Sequence, residues 1–348
     1  MASAYIVPVS RPTAEDADRL IQLATGFFFT AALQPIVRMN IPDLLADGPM
    51  PVSELAEKTG SNADALYRVM RSLSTSGAFA EMPGRVFALT PMSELMRTGV
   101  PGSLREFVLW ISNNFHFNVW SHMAHSIRTG QPAVERATGK VCFDAIFGDP
   151  DVAYDFNMAM TNFSRLIAPA VLGAYDFSGI GTLMDVAGGH GAILCEILTA
   201  YPQMKGILFD LPNVIQEANC HICSLKMEDR CQMVTGDFFE SIPAGADAYY
   251  VQHIIHDWDD ERSLKILANV RQALVGRHDG KLILVDCVVG QASGVEMSKW
   301  LDLEMLLMPG GRERTRSEWD ALMSKAGFEI TQTAPIALGK SVIEAKVR

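Results

Sequence analysis

Cysteine is scarce in this chain. Six among 348 residues are too few for a disulfide scaffold, so they read as reduced thiols in a cytoplasmic protein. Basic residues are outnumbered, 29 Lys and Arg against 40 Asp and Glu, for a formal net charge of −11. Such a chain is globally a poor partner for a polyanion, and no nucleic acid is expected. No segment offers the roughly 20 uninterrupted apolar residues of a membrane span. The apolar run Phe27 to Leu33 meets Gln34-Pro35, which is expected to stop it. Residues 1–12 have neither a basic n-region nor an apolar h-region, so no signal peptide is read and no membrane partner is expected. Internal repeats and low-complexity tracts are lacking too. What remains is a globular composition, 49% apolar and 20% charged, at a length that suggests about two domains.

The first third has a helical pattern. Thr13 reads as the cap of a helix with Glu15 and Asp16 in its first turn and an apolar face through Leu20, Leu23, Phe27 and Phe28. Residues 53–58 and 63–74 read as two helices around the turn Thr59-Gly60-Ser61. Residues 78–82 and 86–89 read as two strands around Pro83-Gly84. Helix, turn, helix and hairpin make a winged-helix pattern. Arg68 and Arg71 on its second helix would suit DNA. The acidic balance favours a structural or dimerisation module on the same scaffold.

Residues 99–148 read as a helical bridge rich in aromatics, including Phe107, Trp110, Phe115, Phe117 and Trp120, followed by a helix over about 152–172. Short apolar strands then alternate with helices. Residues 183–187, 206–210, 248–252 and 281–289 are strand-like, and 192–200 and 261–274 helix-like, which implies a doubly wound parallel sheet with ligands at the strand carboxyl ends. Asp185-Val186-Ala187-Gly188-Gly189-His190-Gly191 lies between the first such strand and its helix. Glycines there let a ligand approach the backbone at a helix N-terminus. Asp210 ends the second strand, where a carboxylate can accept two ribose hydroxyls. Asp237 and Phe238 follow the third, offering a carboxylate and a ring face to an adenine. Each acid alone is more simply a surface or capping residue; their order at successive strand ends carries the inference. Cys220-His221-Ile222-Cys223, with Cys231 nearby, has no second close pair and is not read as a zinc site.

These segments, with His256-Asp257-Trp258-Asp259-Asp260-Glu261 and Pro309-Gly310-Gly311-Arg312-Glu313-Arg314-Thr315, resemble the small-molecule O-methyltransferases of the caffeate and hydroxyindole type over nearly the whole chain. The resemblance implies a winged-helix dimerisation domain over 1–105 that builds a homodimer. It implies a Rossmann-like catalytic domain over 106–348, whose bridge, about 106–175, lines the acceptor pocket. It implies S-adenosyl-L-methionine as cofactor, with S-adenosyl-L-homocysteine as product, held by Asp185, Ala187, Gly188, Gly189, Gly191, Asp210, Leu211, Asp237, Phe238 and Gln252. His256 becomes the general base, since imidazole titrates near neutrality; a bare His-Asp-Trp would otherwise read as a capped helix start. Glu313 and Asp286 become its flanking carboxylates. Asp286 stands where plant members have a longer Glu, and is otherwise a strand-end acid bound to backbone amides. Phe156, Met160, Phe163, Leu303 and Met308 are implied to line an aromatic acceptor; Met and Phe at helical spacing read equally as plain core.

Three departures from the family pattern stand out. Ala187 replaces the usual first glycine of the loop, at a cost only if that position needs positive φ. Gln252 and His253 replace a basic residue. Met308 replaces an Asn anchor, which argues against caffeate itself. No metal is expected, because a sulfonium is already an activated leaving group. Two rival readings are a member of the family that runs hydroxylation, decarboxylation or a pericyclic step, and a winged-helix regulator with a ligand-sensing domain.

Overall fold

The computed structural model describes residues 11–290 and 296–348, the side chain of His221 excepted. These residues fall into two compact units that divide between Ser112 and Asn113. The division comes after the 105/106 boundary expected from sequence, because helix Arg105–Ile111 packs on helix Gly26–Arg38 of the first unit.

In the first unit, helix Ala14–Ala24 opens on a capping box. The Thr13 hydroxyl accepts the Asp16 N–H, and the Asp16 carboxylate accepts the Thr13 N–H at 2.9 Å. Helix Gly26–Arg38 follows. Pro35 lies inside it and does not end it, contrary to expectation; a proline forfeits one i→i−4 bond, a loss the surrounding turns carry here. Ala14–Arg38 is therefore 25 residues long and apolar enough in composition to cross a membrane, with 17% of its most apolar window buried. Leu20, Ile21, Leu23, Phe27 and Phe28 are exposed along it. Leu33 is different: it belongs to the unit's own core with Ile36, Leu55, Leu66, Met70, Phe79 and Phe87. Helices Val52–Thr59 and Ala63–Ser74 sit with a small sheet of β1 (Met50–Pro51), β3 (Val86–Leu89) and β2 (Phe79–Met82), in that order.

In the second unit a run of short helices leads into helix Pro150–Ala174, capped by the Asp149 carboxylate with Pro150 in the first turn. The sheet comprises β4 (Thr182–Val186), β5 (Lys205–Asp210), β6 (Cys231–Thr235), β7 (Ala248–Gln252), β8 (Lys281–Val289), β9 (Arg314–Thr315), β10 (Phe328–Pro335) and β11 (Lys340–Val347). Its order is β10-β11-β8-β7-β4-β5-β6, with β9 beside β8. β4 to β8 are mutually parallel where they pair. β11 runs antiparallel to β8 and to β10; only residues 336–339 join β10 to β11, and so short a link permits no parallel crossover between those two.

Period-two alternation puts the two halves of the core on opposite faces. Leu183, Tyr250, Ile283 and Val285 meet helices Pro150–Ala174, Ala192–Ala200 and Pro212–Ser224. Met184, Val186, Tyr249, Val251, Leu282 and Leu284 meet helices Asp260–Ala273 and Arg316–Lys325. From β4 the chain winds outward to β6, then returns to lay β7 on the other side of β4. The carboxyl ends of β4 and β7 thus flank a topological switch point, where doubly wound sheets bind ligands.

Candidate active site

The loop after β4 is built around a bare stretch of backbone. Ala187 has φ 57°, the left-handed conformation that favours glycine, and its N–H donates to the Phe209 carbonyl at 2.8 Å. A Cβ at Gly188 would lie 2.5 Å from both Asp185 Oδ2 and Leu208 Cδ1, so nothing larger than glycine fits. Asp185 is buried beneath this turn, and burial, reinforced by Asp210, pushes its carboxyl up to about 8. Asp210 holds the loop from the neighbouring strand. Its Oδ2 accepts the Gly189 N–H at 2.9 Å and its Oδ1 the Leu211 N–H at 2.7 Å. Burial raises its pKa, and those two amides oppose the rise. A carboxylate has about four lone-pair sites, so two remain for a ligand. Gly191, at φ 74°, turns the chain into helix Ala192–Ala200. Leu211 stands exposed at the rim.

Asp237 Oδ1 accepts the Phe239 N–H at 2.7 Å, and the Phe238 ring packs edge-on against Phe239 and Trp258. Gln252 is engaged at both ends: its Oε1 accepts the Tyr250 hydroxyl at 2.6 Å, and its Nε2 donates to Ser164 Oγ at 3.1 Å. Bare backbone, a carboxylate with spare acceptor sites and an aromatic face suit an adenosine, so the loop residues fit the nucleoside cofactor implied by sequence.

Beyond β7 a single helical turn, Ile255–Asp257, carries His256, buried at 7% exposure. Its Nδ1 lies 2.8 Å from Glu313 Oε1 and 3.5 Å from Asp286 Oδ1, and its Nε2 lies 3.6 Å from Asp257 Oδ1. Glu313 therefore reaches the imidazole with a hydrogen bond. Asp286 comes only to ion-pair distance, and neither of its buried oxygens has a hydrogen-bond partner among the described residues. Burial alone would hold the imidazole neutral; the charges of Glu313, Asp286 and Asp257 outweigh it and raise His256 to about 9. Burial lifts Asp286 to about 7 and Asp257 to about 6. For Glu313 burial acts upward, but the imidazolium overcomes it and keeps this carboxyl below its usual range.

The segment from Gly310 to Arg314 clasps this turn. The Arg312 N–H donates to the His256 carbonyl at 2.8 Å. Gly311 packs so closely on the His256 carbonyl that a Cβ would overlap it. Arg314, fully buried, donates to the Ile255 and Trp258 carbonyls, each at 3.1 Å, and to Asp260 at 2.8 Å. Donor atoms of His256, Asp286 and Glu313 lie within 4.8 Å of one another, the composition of a metal site. The 2.8 Å contact is shorter than the roughly 3.3 Å that separates two ligands on one tetrahedral ion with bonds of about 2.0 Å. It is a hydrogen bond, and the trio reads as an acid–base cluster.

On the acceptor side, Phe156, Met160 and Phe163 share one face of helix Pro150–Ala174. Phe163 lies 5.4 Å from the His253 ring, which stacks on His256 at 5.5 Å. Phe156 meets Phe147, which stacks on Phe143, which reaches Trp258. Leu303 is half-buried on helix Met297–Leu307, and Met308 is buried at its end. Cys220 and Cys223 are exposed on helix Pro212–Ser224 while Cys231 is buried in β6, and all six cysteines are free thiols.

Several neighbours went unsingled in the sequence. Asp257 was visible inside the His-Asp-Trp motif. Lys340, buried at the start of β11 with Nζ 3.8 Å from Cys287 Sγ, carries no local signal, because only strand register brings it opposite Cys287. Glu304, buried and bonded to His116 Nε2 at 2.9 Å and the Trp120 indole N–H at 2.7 Å, hides in an apolar helix.

The chain matches the O-methyltransferase domain family over residues 120–329 and the O-methyltransferase dimerisation domain over residues 21–99. It is 38% identical over 327 residues to a phenazine O-methyltransferase of Lysobacter antibioticus, covering 94% of this chain and 95% of that protein. The solved mitomycin 7-O-methyltransferase superposes with a TM-score of 0.88 at 31% identity, over 96% of this chain and 98% of that one. An O-methyltransferase of neocarzinostatin biosynthesis, solved with S-adenosylmethionine and 2-hydroxy-5-methyl naphthoic acid, gives 0.77 at 29% identity over 92% and 96%. The chain therefore belongs to the S-adenosylmethionine-dependent O-methyltransferase family.

Proposed function

We propose that the chain transfers a methyl group from S-adenosylmethionine to a hydroxyl of an aromatic small molecule, with His256 as general base. The observation that carries this is the 2.8 Å contact from His256 Nδ1 to Glu313, in a buried turn at the sheet's switch point. An ionised carboxylate only accepts, so Nδ1 carries the hydrogen, and in the neutral ring the lone pair lies on Nε2. Nε2 takes the hydroxyl proton as the acceptor oxygen bonds to the methyl carbon. Glu313 holds the imidazolium that forms, and Asp286 adds charge at 3.5 Å. When bound, S-adenosylmethionine supplies a methyl on a sulfonium that leaves as a neutral thioether.

Asp210 and the amides of the loop hold the nucleoside, and the aromatic wall of helix Pro150–Ala174 excludes water and orients the ring. The exposed Leu20, Ile21, Leu23, Phe27 and Phe28 are the surface a second copy covers in a homodimer. His256→Ala is expected to lower kcat by about 10²–10⁴ while leaving S-adenosylhomocysteine affinity near that of the parent. Equal turnover of a phenolic acceptor by both proteins would remove His256 from the mechanism.

A further inference from the structure

Helix Pro150–Ala174 carries a second face that the reading above does not use. Asn157, Thr161 and Ser164 each come one residue after Phe156, Met160 and Phe163, and so form a polar stripe turned by about 100° from the proposed acceptor face. Each member of the stripe is half-buried and bonded to a different part of the sheet's carboxyl edge. Asn157 Nδ2 donates to Glu217 Oε2 at 3.3 Å, on the helix that follows β5. Thr161 Oγ1 shares a hydrogen bond of 3.0 Å with His190 Nδ1, in the loop that follows β4. Ser164 Oγ accepts from Gln252 Nε2 at 3.1 Å, at the end of β7. The order of these contacts along the helix, β5, β4, β7, is the order of those strands in the sheet. Steps of four and three residues cover about 6 and 4.5 Å of helix axis, comparable with the roughly 4.8 Å between strands. The helix therefore crosses the strand ends at the switch point.

The middle contact reaches the glycine loop itself. His190 stands between Gly189 and Gly191, both left-handed at φ 58° and 74°. The loop backbone around it is held by the Gly189 N–H on Asp210 Oδ2 and the Gly191 N–H on the Gly188 carbonyl, each at 2.9 Å. A nucleoside seated on Asp210 and this loop restrains the His190 backbone, and with it the imidazole that Thr161 grips. His190 Nε2 also faces Glu217 Oε2 at 3.5 Å, the oxygen that Asn157 reaches, which links the first two contacts.

We propose that Thr161 and His190 are positioning residues, whose shared hydrogen bond makes occupancy of the glycine loop by the cofactor fix helix Pro150–Ala174 and the acceptor face it carries. This rests on the reading of that loop as the cofactor's site. The wall that orients the acceptor is thereby set by the molecule that supplies the methyl.

The test is hydrogen exchange of the full-length protein, read by mass spectrometry with and without saturating S-adenosylhomocysteine. In the parent, the ligand should slow exchange within residues 150–174 by about tenfold or more. Thr161→Val keeps the branched shape and removes the hydroxyl; the slowing should shrink to about twofold or less, while calorimetry gives an affinity within about threefold of the parent. Thr161→Ser returns the hydroxyl and should restore the slowing. His190→Ala should lose it too, and adding Thr161→Val to His190→Ala should cost nothing further. A merely structural role for Thr161 would quicken exchange of the ligand-free helix and leave the ligand-induced change intact. Slowing in Thr161→Val equal to that in the parent overturns the proposal. So does a parent in which the ligand protects residues 187–191 and not 150–174. Absence of protection at both segments refutes the cofactor's placement instead.

Discussion

A base that holds its proton too tightly must show it in the pH profile. Three carboxylates overcome the effect of burial and raise His256 to about 9. Only the neutral ring can accept a hydroxyl proton, so on the proposed mechanism the competent fraction at pH 7 should be small, on the order of one part in 10² for a gap of about two pH units. The acceptor kcat/KM should therefore climb about tenfold per pH unit from 6, and flatten near 9. Glu313→Gln removes the largest of the raising charges. Burial then gains ground, and the rising limb should move below 9, at a lower plateau because the tautomer is held less firmly. The assay is initial rate against pH at saturating S-adenosylmethionine. Two acceptors of different hydroxyl acidity separate ionisation of the acceptor from that of the base: a limb set by His256 stays in place when the acceptor is exchanged. A flat profile between 6 and 9, or a parent limb near 6.5, would refute this account of the cluster.

The same shift bears on stability. A raised histidine pKa contributes stability that is fully present below about 6.5 and is lost as pH rises through 9, so the melting temperature should fall across that window in the parent more than in His256→Ala. At Ala187, the left-handed backbone costs about 1–2 kcal/mol for alanine, while glycine loses about 0.5–1 kcal/mol in chain entropy. Ala187→Gly should therefore gain on the order of 0.5–1 kcal/mol in urea unfolding, and a loss would mean that the loop relaxes without strain. Asp210→Ala removes two amide contacts as well as the ribose acceptor; calorimetry should show at least about a tenfold loss of S-adenosylhomocysteine affinity, and unchanged affinity would misplace the nucleoside. Light scattering of the parent should report a dimer, and Phe27→Ser with Phe28→Ser should shift it towards monomer; a parent that is monomeric at micromolar concentration would exclude the pairing.

What could be read from the sequence was whatever local chemistry dictates. The capping residue Thr13, the helix over 63–74 and the order of strands and helices from 183 onward follow from caps and periodicity, and the structure has them. The motif residues His256 and Glu313 were visible too, but their contact joins positions 57 apart in sequence, and only the clasp of Gly311 and Arg314 closes it. What escaped depends on register or reach. The shorter side chain of Asp286 stops at 3.5 Å, a shortfall that residue identity suggests and only coordinates measure. Leu33 shares an apolar run with Phe27 and Phe28, but helical rotation turns it into the unit's own core. Pro35 looked like a stop and was absorbed, since one missing N–H is a small loss in a helix packed on its neighbours. The hairpin of β10 and β11 went unread, and with it Lys340.

The adjacency of β4 and β7 has an evolutionary consequence. The glycine loop hangs from one strand and the His256 turn from the next, so the distance between them is set by main-chain hydrogen bonding, roughly 4.8 Å per strand, and not by any side chain that drift could exchange. The proposed acceptor wall, in contrast, is made of helices that contribute nothing to that spacing. On the proposed reading, substitutions at the rings of Phe143, Phe147 and Phe156 can therefore accumulate without moving either strand end. An engineer seeking a new methyl acceptor has a fixed reactive centre to work above and a replaceable lining to rewrite.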